Sequence, residues 1–126
     1  MEKFIKNVLA KTLYFEARGE GERGMRAVAT VIYNRAAGNV AKFATVCLAP
    51  KQFSCWKSHD GLIVEPSAPA DAAAYGICIK IESEMVEGTF GPLGSWTHYY
   101  NPRGANPSWA RNRPFTVIGN HNFLKI

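Results

Sequence analysis

Apolar residues recur at a spacing of three and four positions in three long segments of the chain. The segments cover residues 3–18, 22–37 and 69–86, and each is followed by a glycine within two residues. Residues at this spacing line one face of a helix, and a glycine just beyond the last turn commonly ends it. A shorter helical pattern covers residues 40–46. The sequence therefore predicts three main helices and one short helical segment.

The last of the long helices has a clear division into an apolar and a polar side. Its predicted core stripe consists of Ala73, Ile77, Ile81 and Met85. Its acidic residues near the C-terminal end are predicted to form a solvated face; they are Glu82, Glu84 and Glu87.

The final third of the chain changes from helical to strand-like patterning. Residues 96–100 are rich in aromatic and β-branched side chains, as are residues 115–118 and 123–126, which flank the turn residues Gly119 and Asn120. Prolines interrupt residues 101–114 and predict an irregular segment. The sequence predicts an α+β fold, in which a helical body carries a small antiparallel β-sheet.

Composition narrows the class of protein. A chain of 126 residues with 47% hydrophobic side chains is suited to one compact domain over residues 1–126. It contains no apolar run near the ~20 residues that a membrane span needs. Fifteen basic against ten acidic residues give a net charge of +5, which favours a polyanionic partner. The basic residues are spread along the chain, so nucleic-acid binding is the least favoured function.

A candidate catalytic acid stands at the end of the first predicted helix. Glu16 follows two aromatic residues and precedes a turn with two glycines. The negative end of the helix dipole and apolar neighbours both favour the neutral carboxyl, as a general acid working near neutral pH requires. The alternative is a surface ion pair of Glu16 with Arg18 or Arg35. Glu20 and Glu22 are predicted to be solvated loop acids or a cap for the second helix.

Four motifs, taken in order along the chain, resemble the SleB/CwlJ family of cell wall hydrolases. They are YFEARGE at 14–20 with Gly24, AVA at 27–29 and VIYNR at 31–35; QFSCW at 52–56; THYYNP at 97–102 with ANPSWA at 105–110; and IGNHNF at 118–123. The resemblance covers nearly the whole chain. It departs from the family at position 15, where a small residue is common and this chain has Phe15.

The resemblance implies a lysozyme-like catalytic domain that cleaves peptidoglycan between N-acetylmuramic acid and N-acetylglucosamine. The reaction expected is that of a lytic transglycosylase, which gives 1,6-anhydromuramyl products with Glu16 as its acid and base. The alternative is a hydrolytic muramidase, which needs a second carboxylate. Glu20, Asp60 and Glu65 are candidates for that role, Glu20 first, but none lies in a recognisable motif. The transglycosylase is therefore preferred.

Aromatic and amide side chains of the C-terminal half predict a sugar-binding groove. Sugar rings stack on aromatic faces, while their hydroxyl and acetamido groups need directed hydrogen bonds. The predicted substrate-binding residues are Tyr99, Tyr100, Asn101, Asn106 and Trp109, with Phe53 and Trp56 on the opposite wall. Two further aromatic residues, Trp96 and Phe123, are predicted to fill the core.

Other functions remain open at this point. A cysteine peptidase or amidase would pair Cys55 with His98 or His121, and a glycan-binding module would keep the groove without catalysis. The histidines are scattered and lack metal-site spacing, so no metal ion and no cofactor are expected. The N-terminal residues do not resemble a secretory signal peptide. We expect a monomer made in the cytoplasm that acts on the bacterial cell wall. It would do so either as a phage endolysin released by a holin or as a bacterial or spore enzyme exported by another route.

Overall fold

The computed structural model describes residues 2–49 and 69–126, and four α-helices lie within these ranges. They are α1 (Glu2–Ala17), α2 (Gly21–Arg35), α3 (Phe43–Leu48) and α4 (Pro69–Glu87). The ends of the three long helices agree with the sequence prediction to within two residues. The predicted segment at 40–46 consists of a single 3₁₀ turn, Val40–Lys42, followed directly by α3.

The hydrophobic core surrounds α1, which packs against the other three helices. Val8, Leu9 and Leu13 are completely buried there. On α4 the buried line is Cys78, Ile81 and Met85. Ile81 and Met85 belong to the predicted stripe, but the predicted core residue Ala73 is exposed, because the buried side of the N-terminal half of α4 lies at Cys78 and the partly buried Ala74.

Three short strands form an antiparallel sheet in the order β1 (His98–Tyr100), β3 (His121–Leu124) and β2 (Thr116–Ile118). The hairpin turn is confirmed at Gly119 and Asn120, with Gly119 at a φ of 59°. The predicted last strand, 123–126, is shifted: it begins at His121 because the turn has only two residues, a length typical of tight hairpins.

The prediction of a solvated acidic face on α4 is confirmed at the exposed Glu87 but is wrong at Glu84 and Glu82. The guanidinium of Arg26 on α2 donates to both carboxylate oxygens of Glu84, at 2.9 and 2.8 Å, and also to Glu22 at 2.8 Å. These hydrogen bonds with Arg26 lower the pKa of Glu84. Helical patterning could not reveal this pair, because the sequence does not show which residue of α2 faces α4.

Glu82 departs from that prediction in a different way. The residue is only 4% exposed, and its Oε1 accepts a hydrogen bond of 3.3 Å from Ser83, whereas its Oε2 has no hydrogen-bond partner among the described residues. Burial raises the pKa of this carboxyl. An ionised Glu82 therefore costs folding free energy.

This cost predicts a pH-dependent effect of the substitution Glu82→Gln. In the folded state Glu82 keeps its proton at pH values where the unfolded state has lost it. The free energy of unfolding of the wild type therefore falls as the pH rises above about 4.5, the ordinary pKa of a glutamate. Raising the pH from 4 to 8 should therefore favour E82Q over wild type by about 1 kcal/mol. Urea unfolding at both pH values measures this difference. The exposed Glu87→Gln is the control, and an E82Q advantage that does not grow with pH would contradict the assignment.

No helix within residues 2–49 and 69–126 has both the length and the apolar character that crossing a bilayer requires.

Candidate active site

The C-terminal end of α1 meets the sheet at Glu16. Glu16 lies in the last turn of the helix and is half-buried. The hydroxyl of Tyr99, in β1, donates a hydrogen bond of 2.8 Å to its Oε1. A short hydrogen bond from a neutral donor to a carboxylate restrains the oxygen that accepts it and stabilises the charged form. The predicted catalytic acid and one predicted groove residue are thus brought together across 83 positions of sequence.

The ring of Tyr99 is held by two side chains of β3. It stacks on Phe123 with a centroid distance of 5.4 Å and an angle of 25°, and it meets the ring of His121 edge-on at 5.3 Å. Phe123 is 1% exposed, which confirms its predicted place in the core. Because Tyr99 and Phe123 are direct partners in the strand register, the position of β3 determines where the Tyr99 hydroxyl lies.

Glu20 is neither a solvated loop acid nor a helix cap. Its side chain is 12% exposed, and it makes no cap hydrogen bond although it occupies the N-cap position of α2. Its Oε1 lies 3.1 Å from Nδ1 of His121, and its two oxygens accept hydrogen bonds of 3.4 Å from the backbone and side chain of Asn120. The sequence motif contained His121, but only the fold reveals its contact with Glu20.

Arg18 and Arg35 are the two predicted alternative partners of Glu16 in a surface ion pair. Arg18 donates to the hydroxyl of Tyr14 at 3.1 Å and lies over its ring. Arg35, at the end of α2, lies 2.9 Å from Nε2 of His98. Each guanidinium group therefore contacts a residue other than Glu16.

His98 is a neutral link between α2 and β1. Burial lowers the pKa of its imidazole, and the charges of Arg35 and Arg113 lower it further. A guanidinium can only donate, so Nε2 accepts from Arg35 and the proton is assigned to Nδ1, which lies 2.9 Å from the Thr97 hydroxyl. That hydroxyl also accepts from the backbone of Ile126 at 3.0 Å.

Tyr100 and Trp109 form a second aromatic group. Successive residues of a strand point to opposite faces, so Tyr100 lies on the face away from Tyr99. Its hydroxyl accepts from Asn122 at 3.1 Å, and its ring meets Trp109 edge-on at 5.8 Å. Trp109 also contacts the ring of His98 and is 40% exposed. This group is separate from the pair of Tyr99 and Glu16.

The remaining predicted site residues lie at several places. Asn106 is exposed, and the half-buried Asn101 accepts from the backbone of Arg103 in a turn. Phe53 and Trp56 lie outside the described residues. Trp96 is only half-buried: it packs on Phe123 and lines an open cleft of about 570 Å³ between α2 and β2. The described ranges contain no group of three His, Cys, Asp or Glu side chains that could hold a metal ion.

The family model described as Cell Wall Hydrolase matches residues 19–124. Curated relatives include spore cortex-lytic enzymes of Oceanobacillus iheyensis, 35% identical, and of Bacillus cereus, 33% identical; each alignment covers 94% of this chain. The chain spans only 40% and 43% of the length of these two relatives.

Two solved structures resemble the chain over most of its length. One is the catalytic domain of the germination-specific lytic transglycosylase SleB from Bacillus anthracis, with a TM-score of 0.67 and 29% identity, covering 96% of this chain and 93% of that one. The other is the catalytic domain of Bacillus cereus SleB, with the same TM-score and identity, covering 98% and 91%. These similarities confirm the predicted lysozyme-like α+β fold. The chain therefore belongs to the cell wall hydrolase family.

Proposed function

We propose that the chain cleaves the glycan strands of peptidoglycan and that Glu16 is the acid and base of the reaction. The observation that carries the proposal is the hydrogen bond of 2.8 Å from Tyr99 to Glu16. It fixes a half-buried carboxyl at the junction of helix and sheet, in a fold shared with a domain described as a lytic transglycosylase. A positioned carboxyl group is the minimum that acid-catalysed cleavage of a glycosidic bond needs.

The first step transfers a proton from Glu16 to the oxygen that joins N-acetylmuramic acid to N-acetylglucosamine. The bond from that oxygen to the muramyl anomeric carbon breaks, and its electron pair leaves with the oxygen. Negative charge then develops on Glu16, and the hydrogen bond from Tyr99 becomes stronger as it does so. Tyr99 therefore favours the transition state over the ground state.

The second step uses the resulting carboxylate as a base. Glu16 takes the proton of the muramyl C6 hydroxyl, whose oxygen attacks the anomeric carbon and closes the 1,6-anhydro ring. Glu16 is protonated again at the end, and no water is consumed.

The surroundings of Glu20 favour this one-carboxylate reaction over hydrolysis. A second catalytic carboxylate must face the sugar or a water molecule beside it. Both oxygens of Glu20 are instead engaged by His121 and Asn120. Asp60 and Glu65, the other predicted candidates, lie outside the described residues.

We also propose that the second aromatic group extends the binding surface for the glycan. β1 is an outer strand of the described sheet, with Tyr99 on one face and Tyr100 on the other. A glycan strand that crosses this edge can contact Glu16 on one side and stack on the partly exposed Trp109 on the other. Asn101 and Asn106, in the segment between Tyr100 and Trp109, supply amide groups for its acetamido substituents.

Digestion of purified peptidoglycan in heavy-oxygen water tests the proposed reaction. The transglycosylase reaction gives 1,6-anhydromuramyl ends without the label. Reducing muramic acid ends in excess of those in undigested peptidoglycan would show hydrolysis instead. That result would support cleavage of the glycan strand but contradict the transglycosylase reaction. If the chain binds muropeptides but cleaves no peptidoglycan between pH 4 and 8, it is a glycan-binding module and not an enzyme.

A further inference from the structure

We infer that Glu20 and His121 are positioning residues, which fix the β2–β3 turn against the start of α2 and so hold Tyr99 on Glu16. The inference rests on the proposed function. It assigns Glu20 to the support of the catalytic carboxyl rather than to the chemistry itself.

The first support is the set of contacts that Glu20 makes. One carboxylate reaches three groups of the hairpin: Nδ1 of His121 at 3.1 Å, and the backbone and side-chain nitrogens of Asn120 at 3.4 Å each. All three belong to the turn or to the first residue of β3. An ionised carboxylate only accepts hydrogen bonds, so the proton of a neutral His121 lies on Nδ1.

The second support is the space that two glycines leave for the same side chain. A Cβ atom at Gly24, on α2, would overlap the Cβ of Glu20, and one at Gly119, in the hairpin turn, would overlap its Oε2. Gly119 also has a φ of 59°, which side-chain-bearing residues rarely adopt. The helix α2 and the hairpin turn thus each have a glycine at the point where they contact the side chain of Glu20.

The third support is the path from this pair to the catalytic carboxyl. The ring of His121 meets Tyr99 edge-on at 5.3 Å with an angle of 83°, and Phe123, two residues along the same strand, stacks on Tyr99. Tyr99 in turn donates to Glu16 at 2.8 Å. A displacement of the hairpin therefore moves the Tyr99 hydroxyl, and displacements of about 1 Å in a catalytic site can reduce turnover by ~10²-fold.

Two substitutions at position 20 separate positioning from catalysis. Glu20→Gln keeps a carbonyl oxygen that accepts from His121, so its kcat on purified peptidoglycan should stay within about 3-fold of wild type. Glu20→Ala removes all three contacts, so its kcat should fall by about 10- to 30-fold while KM changes less than about 2-fold. The alkaline limb of its kcat/KM profile should also move to higher pH, because a displaced Tyr99 no longer favours the charged form of Glu16.

A matched control and a second variant complete the test. Glu22→Ala removes the same charge two residues away, from a side chain that pairs with Arg26 and Lys80 rather than with the turn, and its kcat should equal that of wild type. His121→Phe keeps an aromatic edge on Tyr99 but removes the donor to Glu20, so it should lower kcat and shift the pH profile in the same direction as E20A. The double variant should be no slower than E20A alone, since the contact that H121F breaks is already absent in E20A.

Several outcomes would overturn the inference. If E20Q loses as much activity as E20A, then Glu20 is a second catalytic carboxylate. If E20A is less stable but keeps the wild-type kcat and pH profile when folded, then its role is structural only. Should E20A fail to fold, an unchanged kcat and pH profile in folded H121F would decide against the inference. A wild-type chain that does not cleave peptidoglycan would refute the proposed function itself, and the inference with it.

Discussion

Replacing Glu16 with Gln is expected to abolish turnover of purified peptidoglycan, with a reduction in kcat of about 10³-fold or more. A carboxamide neither gives up a proton at the glycosidic oxygen nor takes one from the C6 hydroxyl, and a positioned acid or base contributes ~10²–10⁴-fold to rate. Because Gln keeps an oxygen that accepts from Tyr99, the local structure should be preserved. Release of soluble muropeptides, followed by mass spectrometry, measures the effect.

The controls for E16Q address folding and charge. Its thermal unfolding should match that of wild type, and Glu22→Gln, which makes the same change at an acid bound to Arg26 on α2, should keep full activity. If E16Q retains turnover, the site assignment is wrong. Glu20 would then be the acid to test next.

Features that depend on neighbouring residues could be predicted from the sequence. The position of Glu16 in the last helical turn follows from the glycines after it, and Gly21, with a φ of 75°, is the residue at which α2 begins. The hairpin turn was likewise predicted from its own two residues, Gly119 and Asn120. Helix ends and tight turns are set by backbone preferences of a few residues, which a single sequence contains.

Contacts between distant segments could not be predicted in the same way. Helical spacing placed Glu84 on a polar face correctly, but whether that face meets water or Arg26 depends on the packing of α2 on α4. Glu82 shows the same limitation. Glutamate is rarely buried, so its residue type predicts exposure, whereas the packing of the helices buries it.

The strand pattern of the sequence contains one further signal about the candidate site. Tyr99 and Tyr100 are both predicted to line the groove of Glu16, although consecutive residues of a strand point to opposite faces. The alternation allows only one of them to meet Glu16 directly, and the structure shows that it is Tyr99. The family resemblance indicated which residues belong to the site. Strand geometry divides the aromatic ones into two groups, Tyr99 beside Glu16 and Tyr100 beside Trp109.

Tyr99→Phe should lower kcat by about 10- to 100-fold, while KM changes less than about 2-fold. The ring remains stacked on Phe123, but the hydrogen bond to Glu16 is lost, and a hydrogen bond to a charged group is worth about 1.5–3 kcal/mol. Without that donor the charged carboxylate is less stable, so the alkaline limb of the kcat/KM profile should move to higher pH.

The pH profile separates this role of Tyr99 from simple sugar stacking. A ring that only stacks on substrate would be preserved in Y99F, and both kcat and the profile would remain those of wild type. Tyr33→Phe is the matched control, because it removes a hydroxyl from a ring that packs against Phe43 and Phe90 in the helical body. In the E16Q background, Y99F should cause no further loss, since the hydroxyl acts only through the carboxyl that the first substitution has removed. A further loss of more than about 3-fold in the double variant would mean that Tyr99 contacts the substrate directly.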